Sequence, residues 1–257
     1  MSAAPKRDAP RNVILVGATS GIARPLARRL VARGWNLVVT GRDTVRLAPL
    51  ADDLRVRGTG TVATLVLDPS DAAAVAGLFG AAAALLGGPI DGVIVCHGTL
   101  PDESGALLEV EQTRGAIDAN FTSAAMVLAA AAQALENRPG AFITAISSVA
   151  GDRGRQSNYA YGAAKAGLTA YLSGLRNRLH PRGVVVITVK PGIVRTPMTE
   201  GLAAARSPLA ADADTVARDI ERAILRRQTV LYTPWFWWPV MTVICAIPEA
   251  VFKRLKL

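Results

Sequence analysis

Three polar side chains near the middle of the chain are of the types that could polarise a carbonyl group and give it a proton. Tyr161 and Lys165 are four residues apart, so a helix would place them one turn apart on the same face. A phenol is a poor acid at neutral pH, but an adjacent ammonium stabilises the phenolate and is expected to lower the pKa of the tyrosine. Ser148 follows an apolar run, 141–146, that predicts a buried strand. Its hydroxyl would then lie at the carboxyl end of that strand, where open parallel sheets bind ligands.

The same three residues have a simpler interpretation. A tyrosine and a lysine at this spacing also form an ordinary amphipathic pair on a surface helix. Ser148, thirteen residues before Tyr161, adds little by itself. The elements that would have to position these side chains must therefore decide between the two interpretations.

A glycine-rich turn near the N-terminus has the surroundings of a dinucleotide-binding loop. A β-like run, 12–16, leads into Gly-Ala-Thr-Ser-Gly-Ile-Ala at 17–23, and a helical pattern follows. Glycines let the backbone approach a pyrophosphate, and the helix N-terminus offers free N–H groups. The spacing differs from G-x-G-x-x-G, so an ordinary strand–helix turn is the alternative. The loop residues expected to contact a cofactor are Gly17, Thr19, Ser20, Gly21 and Ile22.

The end of the second predicted strand, 35–40, indicates which dinucleotide is bound. Arg42 stands where an NAD site usually places a carboxylate, and an arginine suits the 2′-phosphate of NADP. NADP(H) is therefore the preferred cofactor and NAD(H) the alternative, while a solvated loop charge is the other interpretation of Arg42. Asp43 could be a helix cap. Asp68, after the third predicted strand, could meet the adenine or cap the next helix.

Strands and helices alternate through most of the chain. This alternation predicts a single-domain α/β fold, a doubly wound parallel sheet of the Rossmann type with helices on both faces and an apolar C-terminal extension. We predict a flexible N-terminal arm at 1–10, an NAD(P)-binding and catalytic domain at 11–230 and a Trp-rich apolar and basic segment at 231–257. Further strands are predicted at 61–67, 90–96 and 183–189, and further helices at 71–86, 113–136 and 212–227.

Composition narrows the classes of function. The 257 residues, 51% hydrophobic and 19% charged, suffice for a buried core and exclude general disorder. Two cysteines and two histidines argue against a disulfide framework, a metal site or a histidine-based triad. The net charge of +9 favours an acidic lipid surface or a phosphorylated substrate, whereas no aromatic-interleaved basic patch indicates nucleic acid. The polar N-terminus has no apolar signal region, which predicts a cytoplasmic protein.

The C-terminal segment has a different composition from the rest of the chain. Residues 232–248 hold three of the four tryptophans, and a basic stretch follows. Pro239 and Pro248 interrupt the apolar run, which is too short for a bilayer span of about 20 residues. Tryptophans beside basic residues suit a membrane interface and predict peripheral contact with an anionic membrane on its inner face. The alternative is a helix that covers the substrate pocket or lies in a dimer interface.

Together these motifs resemble those of the short-chain dehydrogenase/reductase family, over about residues 11–230. The matching positions, in the order and spacing of the family, are Gly17-x-x-x-Gly21-x-Ala23, Asn120, Ser148, Tyr161-x-x-x-Lys165 and Pro191-Gly192. The resemblance implies that Tyr161 donates a proton in reduction and accepts one in oxidation. It implies that Lys165 binds the nicotinamide ribose and lowers the pKa of Tyr161, that Ser148 orients and polarises the carbonyl, and that Asn120 holds a proton-relaying water.

The resemblance also extends the predicted cofactor site and shows two departures. The segment that would position the nicotinamide contributes Pro191, Gly192, Val194 and Thr196. Ala23 replaces the third glycine of the loop, a small-for-small change. Residues 95–98, Val-Cys-His-Gly, stand where the family often has Asn-Asn-Ala-Gly. Gly98 alone is retained, and His97 is expected to be a strand-end residue near the cofactor, not a base.

Two stretches are similar to a narrower group, the reductases of decaprenylphosphoryl-2-keto-pentoses. These are 148–165, with its arginine-bearing insert, and the C-terminal 247–255. The similarity implies NAD(P)H-dependent reduction of a lipid-linked keto sugar phosphate supplied by a partner oxidase, with Arg153, Arg155 or Arg195 on the phosphodiester. Other lipid ketones (3-oxoacyl, 3-ketosphinganine or sterol) are the alternative, and a non-catalytic dinucleotide-binding scaffold is a third hypothesis. The family resemblance also implies a homo-oligomer.

Overall fold

A parallel sheet of seven strands organises the residues that the computed structural model describes, 10–103 and 107–255. The predicted arm at 1–10 lies outside the described residues except for Pro10. The strands are β1 (Asn12–Val16), β2 (Asn36–Gly41), β3 (Val62–Val66), β4 (Gly92–Val95), β5 (Phe142–Ile146), β6 (Val185–Pro191), β7 (Val194–Arg195), β8 (Ala211–Asp212) and β9 (Val230–Thr233). The order in the main sheet is β3-β2-β1-β4-β5-β6-β9, and β7 pairs with β8 separately.

Helices cover both faces of this sheet. They are α1 (Ala23–Ala32), α2 (Thr44–Arg57), α3 (Ala72–Leu86), α4 (Val110–Ile117), α5 (Ser123–Leu135), α6 (Tyr159–Leu179), α7 (Ala213–Arg226), α8 (Trp237–Ala246) and α9 (Glu249–Phe252). The chain leaves β1 toward β2 on one side and returns to β4 on the other. The gap between the carboxyl ends of β1 and β4 is the point at which doubly wound sheets bind ligands. The predicted Rossmann-type fold is confirmed.

Two apolar clusters hold the layers together, one on each face. On one face α1 and α7 bury side chains such as Leu26 and Ile220. On the other, α5 and α6 bury side chains such as Leu128 and Leu168. Each such side chain contributes about 1.5–3 kcal/mol when it leaves water completely. The helical run Val110–Leu135 is long and apolar enough to cross a membrane by length and composition, but its second half packs in this core.

The structure differs from the predicted elements in two places. The sheet has a seventh strand, β9, which pairs with β6 and extends past the predicted domain boundary at 230. Its four residues are too few to show a strand periodicity. The helix predicted at 113–136 begins at Val110 and contains a π-helical turn, Asp118–Thr122, between α4 and α5.

Candidate active site

A cleft of about 810 Å³ opens at the carboxyl ends of β1, β2 and β4. Its walls include seven of the predicted cofactor residues: Gly17, Thr19, Ser20, Gly21, Arg42, Asp68 and Gly98. Ile22, the remaining loop residue, packs against the core beside α1. The sheet topology thus places loop residues from four separate βα turns, those after β1, β2, β3 and β4, around one cleft.

Two glycines of the loop stand where a side chain could not fit. Gly17 has φ +74°, and a Cβ there would lie 2.7 Å from the backbone nitrogen of His97. A Cβ on Gly21 would lie 2.7 Å from Cβ of Thr196. The loop therefore packs directly against the strand-end residue His97 and against the segment predicted to position the nicotinamide. Backbone that must come this close requires glycine.

His97 provides a test of whether a nucleotide fits the cleft. The ring contacts the Ser123 hydroxyl through Nε2 at 2.9 Å, while Nδ1 is buried without a hydrogen-bond partner among the described residues. Burial lowers the pKa of His97 to about 4, so the ring is neutral at pH 7. An orphaned buried polar atom costs about 1–3 kcal/mol, and a nucleotide hydroxyl is the kind of group that would satisfy it. The residues present fit a dinucleotide.

The rim of the cleft beside β2 is rich in arginine. Arg42 is exposed and lines the cleft with Arg24, Arg28 and Arg46. The Asp43 carboxylate accepts a hydrogen bond from the backbone N–H of Val45 at 2.8 Å and so caps α2. No motif in the sequence predicted Arg24 and Arg46 at this rim, although the four-residue spacing of Arg42 and Arg46 could have indicated that these two side chains lie close together. The rim is suited to a phosphate.

The sequence left two roles open for Asp68, contact with the cofactor and capping of the next helix. In the structure Asp71 takes the capping role. The Asp71 carboxylate caps α3 by accepting from the backbone N–H groups of Ala73 and Ala74. Asp68 accepts hydrogen bonds from the side chain and backbone of Ser70, and these lower the pKa of Asp68. Since Asp68 lines the cleft, it remains available to a ligand as a carboxylate.

Tyr161, Lys165 and Ser148 meet at the N-terminal end of α6. Lys165 is 4% exposed; its Nζ donates to the carbonyl of Ile146 at 3.0 Å and lies 5.7 Å from the centroid of the Tyr161 ring. The Ser148 hydroxyl is near the Tyr161 phenol and favours its ionised form, which lowers the pKa of the phenol. The Ser148 oxygen accepts from the backbone N–H of Ala150 at 3.1 Å, which leaves the hydroxyl proton for the phenol oxygen or a carbonyl.

Close backbone packing holds the Ser148 loop on α6. A Cβ on Gly151 would lie 2.7 Å from the backbone nitrogen of Ala166, and one on Gly162 would lie 2.9 Å from the carbonyl oxygen of Ala150. The Ser147 hydroxyl donates to the carbonyl of Lys165 at 3.0 Å. Ser148 is therefore fixed relative to both functional residues of the helix.

Burial dominates the ionisation of this group. It raises the pKa of Tyr161, and the Ser148 hydroxyl opposes that rise. It also lowers the pKa of Lys165, to about 8. The sequence predicts that Lys165 lowers the pKa of Tyr161, but among the residues of the chain itself the pKa is raised. The reason is that removing the phenolate from water costs more free energy than its interactions with the surrounding groups supply. The neighbouring Cys96 thiol is neutral, since burial raises the pKa of Cys96 to about 12.

Asn120 lies in the π-helical turn between α4 and α5 and is buried. Its amide nitrogen donates to the carbonyl of Ala116 at 3.0 Å, and its oxygen accepts from the backbone N–H of Thr99 at 3.1 Å. A Cβ on Gly98 would lie 2.6 Å from the Asn120 oxygen and 3.5 Å from Nζ of Lys165. The backbone of Gly98 therefore lies between the side-chain amide of Asn120 and the ammonium of Lys165, close to both. The predicted relay through Asn120 stays a prediction.

Glu103 is a site residue that the sequence did not reveal. It is 5% exposed, and its two carboxylate oxygens accept from the backbone N–H groups of Ala160 at 2.7 Å and Tyr161 at 3.0 Å. The carboxylate thus binds the positive end of α6 directly at the predicted catalytic tyrosine. A single acidic residue in a loop has no periodic signature, so only the fold shows this contact.

The residues predicted to position the nicotinamide approach the cleft from the opposite wall. The backbone N–H of Gly192, which follows Pro191, donates to the carbonyl of Thr233 at 3.1 Å. Val194 is buried in β7, and Thr196 packs against the glycine-rich loop. The chain therefore crosses from the end of β6 to the glycine-rich loop at 17–23.

The three arginines predicted to hold a phosphodiester have partners inside the chain. Arg153 pairs with Glu249 at 2.5 Å, and Arg195 pairs with Asp212 at 2.9 Å. A guanidinium nitrogen of Arg155 lies 3.4 Å from the sulfur of a methionine in α8. The phosphate role stays a prediction, and these contacts count against it for Arg153 and Arg155, which instead hold the C-terminal segment.

The C-terminal segment packs one face on the site and leaves the other exposed. Trp237 and Met241 form a buried cluster with Val149, the residue after Ser148. The opposite face presents Trp235 and Trp238, which are 77% and 62% exposed. The inward face covers the loop that follows Ser148, and contact of the outward face with a membrane or with a second copy stays a prediction.

Comparisons with known proteins agree with this architecture. The family model described as short chain dehydrogenase matches residues 11–207. An uncharacterized oxidoreductase of Mycobacterium tuberculosis is 33% identical over 95% of this chain and 96% of its own length. One of Streptomyces coelicolor is 31% identical, with 96% of each chain covered.

Solved structures show the same fold with both nicotinamide cofactors. A short-chain dehydrogenase from Sphingobium yanoikuyae in complex with NADPH has a TM-score of 0.78 and 27% identity, with 94% of this chain and 98% of that chain covered. A 3-oxoacyl-[acyl-carrier protein] reductase from Brucella melitensis in complex with NAD has a TM-score of 0.77 and 27% identity, with 87% and 96% covered. These neighbours support NAD(P) binding and leave the choice of cofactor open.

Proposed function

The chain belongs to the short-chain dehydrogenase family and is an NAD(P)-dependent oxidoreductase; we propose that it reduces a carbonyl group with NADPH on a lipid-linked substrate of the keto sugar phosphate type. The observation that carries the reaction class is the meeting of Ser148, Tyr161 and Lys165 beside a dinucleotide cleft. The substrate class rests on the narrower sequence similarity and on the apolar wall beside Ser148.

The mechanism assigns each residue one task. A reduced nicotinamide, when bound, supplies the hydride. Ser148 donates its free hydroxyl proton in a hydrogen bond to the substrate oxygen, which orients and polarises the carbonyl. Tyr161 gives its proton to that oxygen as charge develops there, and Lys165 stabilises the phenolate that remains. Asn120 would hold the water that returns a proton toward Lys165.

Arg42 supports a preference for NADPH. It lines the cleft beside the end of β2, and the adjacent Asp43 carboxylate is used as a helix cap. A guanidinium suits the 2′-phosphate that distinguishes NADP from NAD, whereas a free carboxylate would repel it. Arg24 and Arg46 add positive charge to the same rim.

Arg42→Ala is expected to raise KM for NADPH by about 10- to 100-fold, the value of a charge-assisted hydrogen bond, and to leave KM for NADH nearly unchanged. Steady-state kinetics with both cofactors measure this difference. Arg182→Ala is the matched control, because Arg182 is exposed after α6 and outside the cleft. Equal losses with NADPH and NADH would remove Arg42 from 2′-phosphate recognition.

The wall beside Ser148 favours a substrate with an apolar part. Val149, Trp237 and Met241 are buried there, and Ile193 and Ile244 are among the partly buried residues packed against them. We infer that the partly buried Ile193 and Ile244 contact an acyl or prenyl chain of the substrate, which gains about 0.8 kcal/mol per buried CH₂ group.

One observation favours the alternative substrates. Arg153 and Arg155 are engaged with the C-terminal segment, so a substrate without phosphate would lose nothing there. A 3-oxoacyl, 3-ketosphinganine or sterol ketone would use the same apolar wall and the same catalytic group.

The deciding experiment follows the absorbance of NADPH, and separately of NADH, with a polyprenylphosphoryl-2-keto-pentose and with 3-oxoacyl and sterol ketones. Faster consumption of NADPH with the sugar phosphate supports the proposal. Consumption only with a neutral ketone replaces the substrate class but keeps the reaction. Cofactor binding without consumption of any ketone would overturn the assignment as a lipid ketone reductase.

We further propose that the protein works at the cytoplasmic face of a membrane. Helix α8 has ten residues, too few to span a bilayer but enough to lie in its interface. Trp235, Trp238 and Val243 are exposed on the outward side, and the exposed basic residues Lys253 and Arg254 follow. Tryptophan and basic side chains together suit anionic headgroups.

Replacing Trp235 and Trp238 with Ser is expected to weaken co-sedimentation with anionic liposomes by at least about tenfold, since each ring would no longer leave water. Liposomes of phosphatidylglycerol and phosphatidylcholine, with the protein assayed in pellet and supernatant, provide the measurement. Val56→Ser with Val66→Ser is the control, because both valines are exposed elsewhere on the surface. Unchanged sedimentation would remove this face from membrane contact.

We also propose that the protein forms a homo-oligomer and that a partner oxidase produces its ketone substrate. Dissociation of an oligomer by the tryptophan double variant, without any change in sedimentation, would assign the exposed face to contact between copies.

A further inference from the structure

One side chain of α8 occupies a notch in the backbone of the predicted nicotinamide segment. The indole of Trp237 is buried and lies against Gly192. A Cβ on Gly192 would lie 1.9 Å from the indole nitrogen and 2.1 Å from Cε2, closer than real Cβ contacts. The absence of a side chain at Gly192 is therefore what admits the indole. The fit is reciprocal, since one residue must be glycine for the other to be tryptophan.

The same tryptophan belongs to the cluster that covers the Ser148 loop. Trp237, Met241 and Val149 are buried together, and Val149 follows Ser148 directly. The turn at Gly192 is tied to the end of β9 by the hydrogen bond from its N–H to the carbonyl of Thr233. The indole thus lies between the segment that carries the catalytic serine and the segment predicted to place the nicotinamide.

A cluster of three polar side chains, Lys190, Asp152 and Tyr232, holds the strand that precedes α8. Nζ of Lys190, at the end of β6, pairs with Asp152 at 2.5 Å, and the hydroxyl of Tyr232, in β9, donates to the other oxygen of Asp152 at 2.9 Å. Lys190 and Asp152 are mostly buried. An ion pair with a third partner at this depth fixes the Ser148 loop, β6 and β9 relative to one another.

Further contacts hold the two C-terminal helices on the same loop. The Arg153 guanidinium lies 4.3 Å from the centroid of the Phe252 ring and pairs with Glu249. The thiol of Cys245 donates to the carbonyl of Asp152 at 3.3 Å. Contacts before and after α8 therefore dock the helix on this loop, and Trp237, its first residue, is buried on the docked face.

From this geometry we propose that Trp237 is a positioning residue for the reaction. It fills the space between the Gly192 turn and the Ser148 loop and thereby sets the separation between nicotinamide and carbonyl. The C-terminal segment is then a wall of the active site as well as a surface. Hydride transfer depends steeply on that separation, because a misplacement of about 1 Å can cost about 100-fold in rate.

The first test compares Trp237→Phe with Trp35→Phe. Trp35 is also buried, but it packs against Phe142 at the amino-terminal edge of the sheet, away from the cleft. Trp237→Phe is expected to lower kcat by roughly 10- to 100-fold and to change the fluorescence of bound NADPH. Trp35→Phe is expected to lower Tm and leave kcat and NADPH fluorescence as they are. A fall in Tm alone for Trp237→Phe would overturn the proposal.

A second test asks whether Trp237 and Gly192 act as a pair. Gly192→Ala alone is expected to weaken NADPH binding, measured as Kd by fluorescence titration, because the new methyl group meets the indole. In a Trp237→Leu background the same change should cost much less, since the indole is gone. Equal penalties in the two backgrounds would show no coupling and would overturn the reciprocal fit. This readout requires no substrate, so it stands apart from the identity of the ketone.

Discussion

Tyr161→Phe is expected to lower kcat for carbonyl reduction by about 10²- to 10⁴-fold, the contribution of a positioned general acid, while NADPH still binds. The substitution removes one oxygen atom and keeps the ring, so the packing of α6 on the Ser148 loop should persist. The interaction of Ser148 with the phenol is lost with that oxygen, and no other described hydroxyl on α6 is predicted to take over proton transfer. Initial rates and a fluorescence titration with NADPH measure the two quantities.

Tyr171→Phe is the matched control. Tyr171 lies on the same helix, with its ring edge-on to Phe121, and is not among the residues of the proposed mechanism. Its loss of a hydroxyl should leave kcat unchanged. If Tyr161→Phe also left turnover unchanged, Tyr161 would not be the proton donor. If turnover were lost but the cellular function were kept, the chain would act in the cell as a dinucleotide-binding scaffold.

Lys165→Met is expected to abolish turnover and at the same time to raise the stability of the protein. The ammonium is buried, with one carbonyl as its described hydrogen-bond acceptor, and burial lowers its pKa from 10.5 to about 8. Keeping this charge in the folded state at neutral pH therefore costs about 3 kcal/mol. Methionine of similar length avoids that cost, so Tm should rise by several degrees for a chain of this size.

The pH dependence of that stability difference has a definite sign. Below pH 8 the lysine is charged in both folded and unfolded states, and the full cost is present. Between pH 8 and 10.5 the unfolded chain binds the proton more tightly than the folded protein, so the stability of the wild type rises with pH. The advantage of Lys165→Met should therefore shrink over this range. Urea unfolding at pH 7 and pH 10 measures it, and an equal difference at both values would contradict the buried-charge argument.

The fold and the centre of the site were predictable because they have local signatures. Alternating strand and helix patterns indicated the parallel sheet, and Tyr161-x-x-x-Lys165 lay on a helix whose start the sheet order brings to the ligand edge. Gly17 and Gly21 indicated a turn in which the backbone must come close to neighbouring segments. In each case a spacing along the chain carried the information.

The residues that were missed depend on contacts between distant parts of the chain. Glu103 reaches the N-terminus of α6 from 57 positions away, and the indole at 237 fits a glycine 45 residues earlier, counting from 192 to 237. No periodicity links such pairs. The partner of Arg153 was missed for a related reason, since the charge of the arginine is visible in the sequence but Glu249 comes from the far end of the chain. The phosphate role of the insert stays a prediction.

The two cysteines differ enough to be told apart chemically. Cys96 is buried with a pKa of about 12, so it has almost no thiolate to react with a maleimide in the folded protein. Cys245 is exposed and contacts the loop that follows Ser148. A single thiol-reactive fluorophore would therefore report from α8 alone, without any engineered cysteine. Its emission would give a direct optical record of whether the C-terminal wall stays docked while substrate enters.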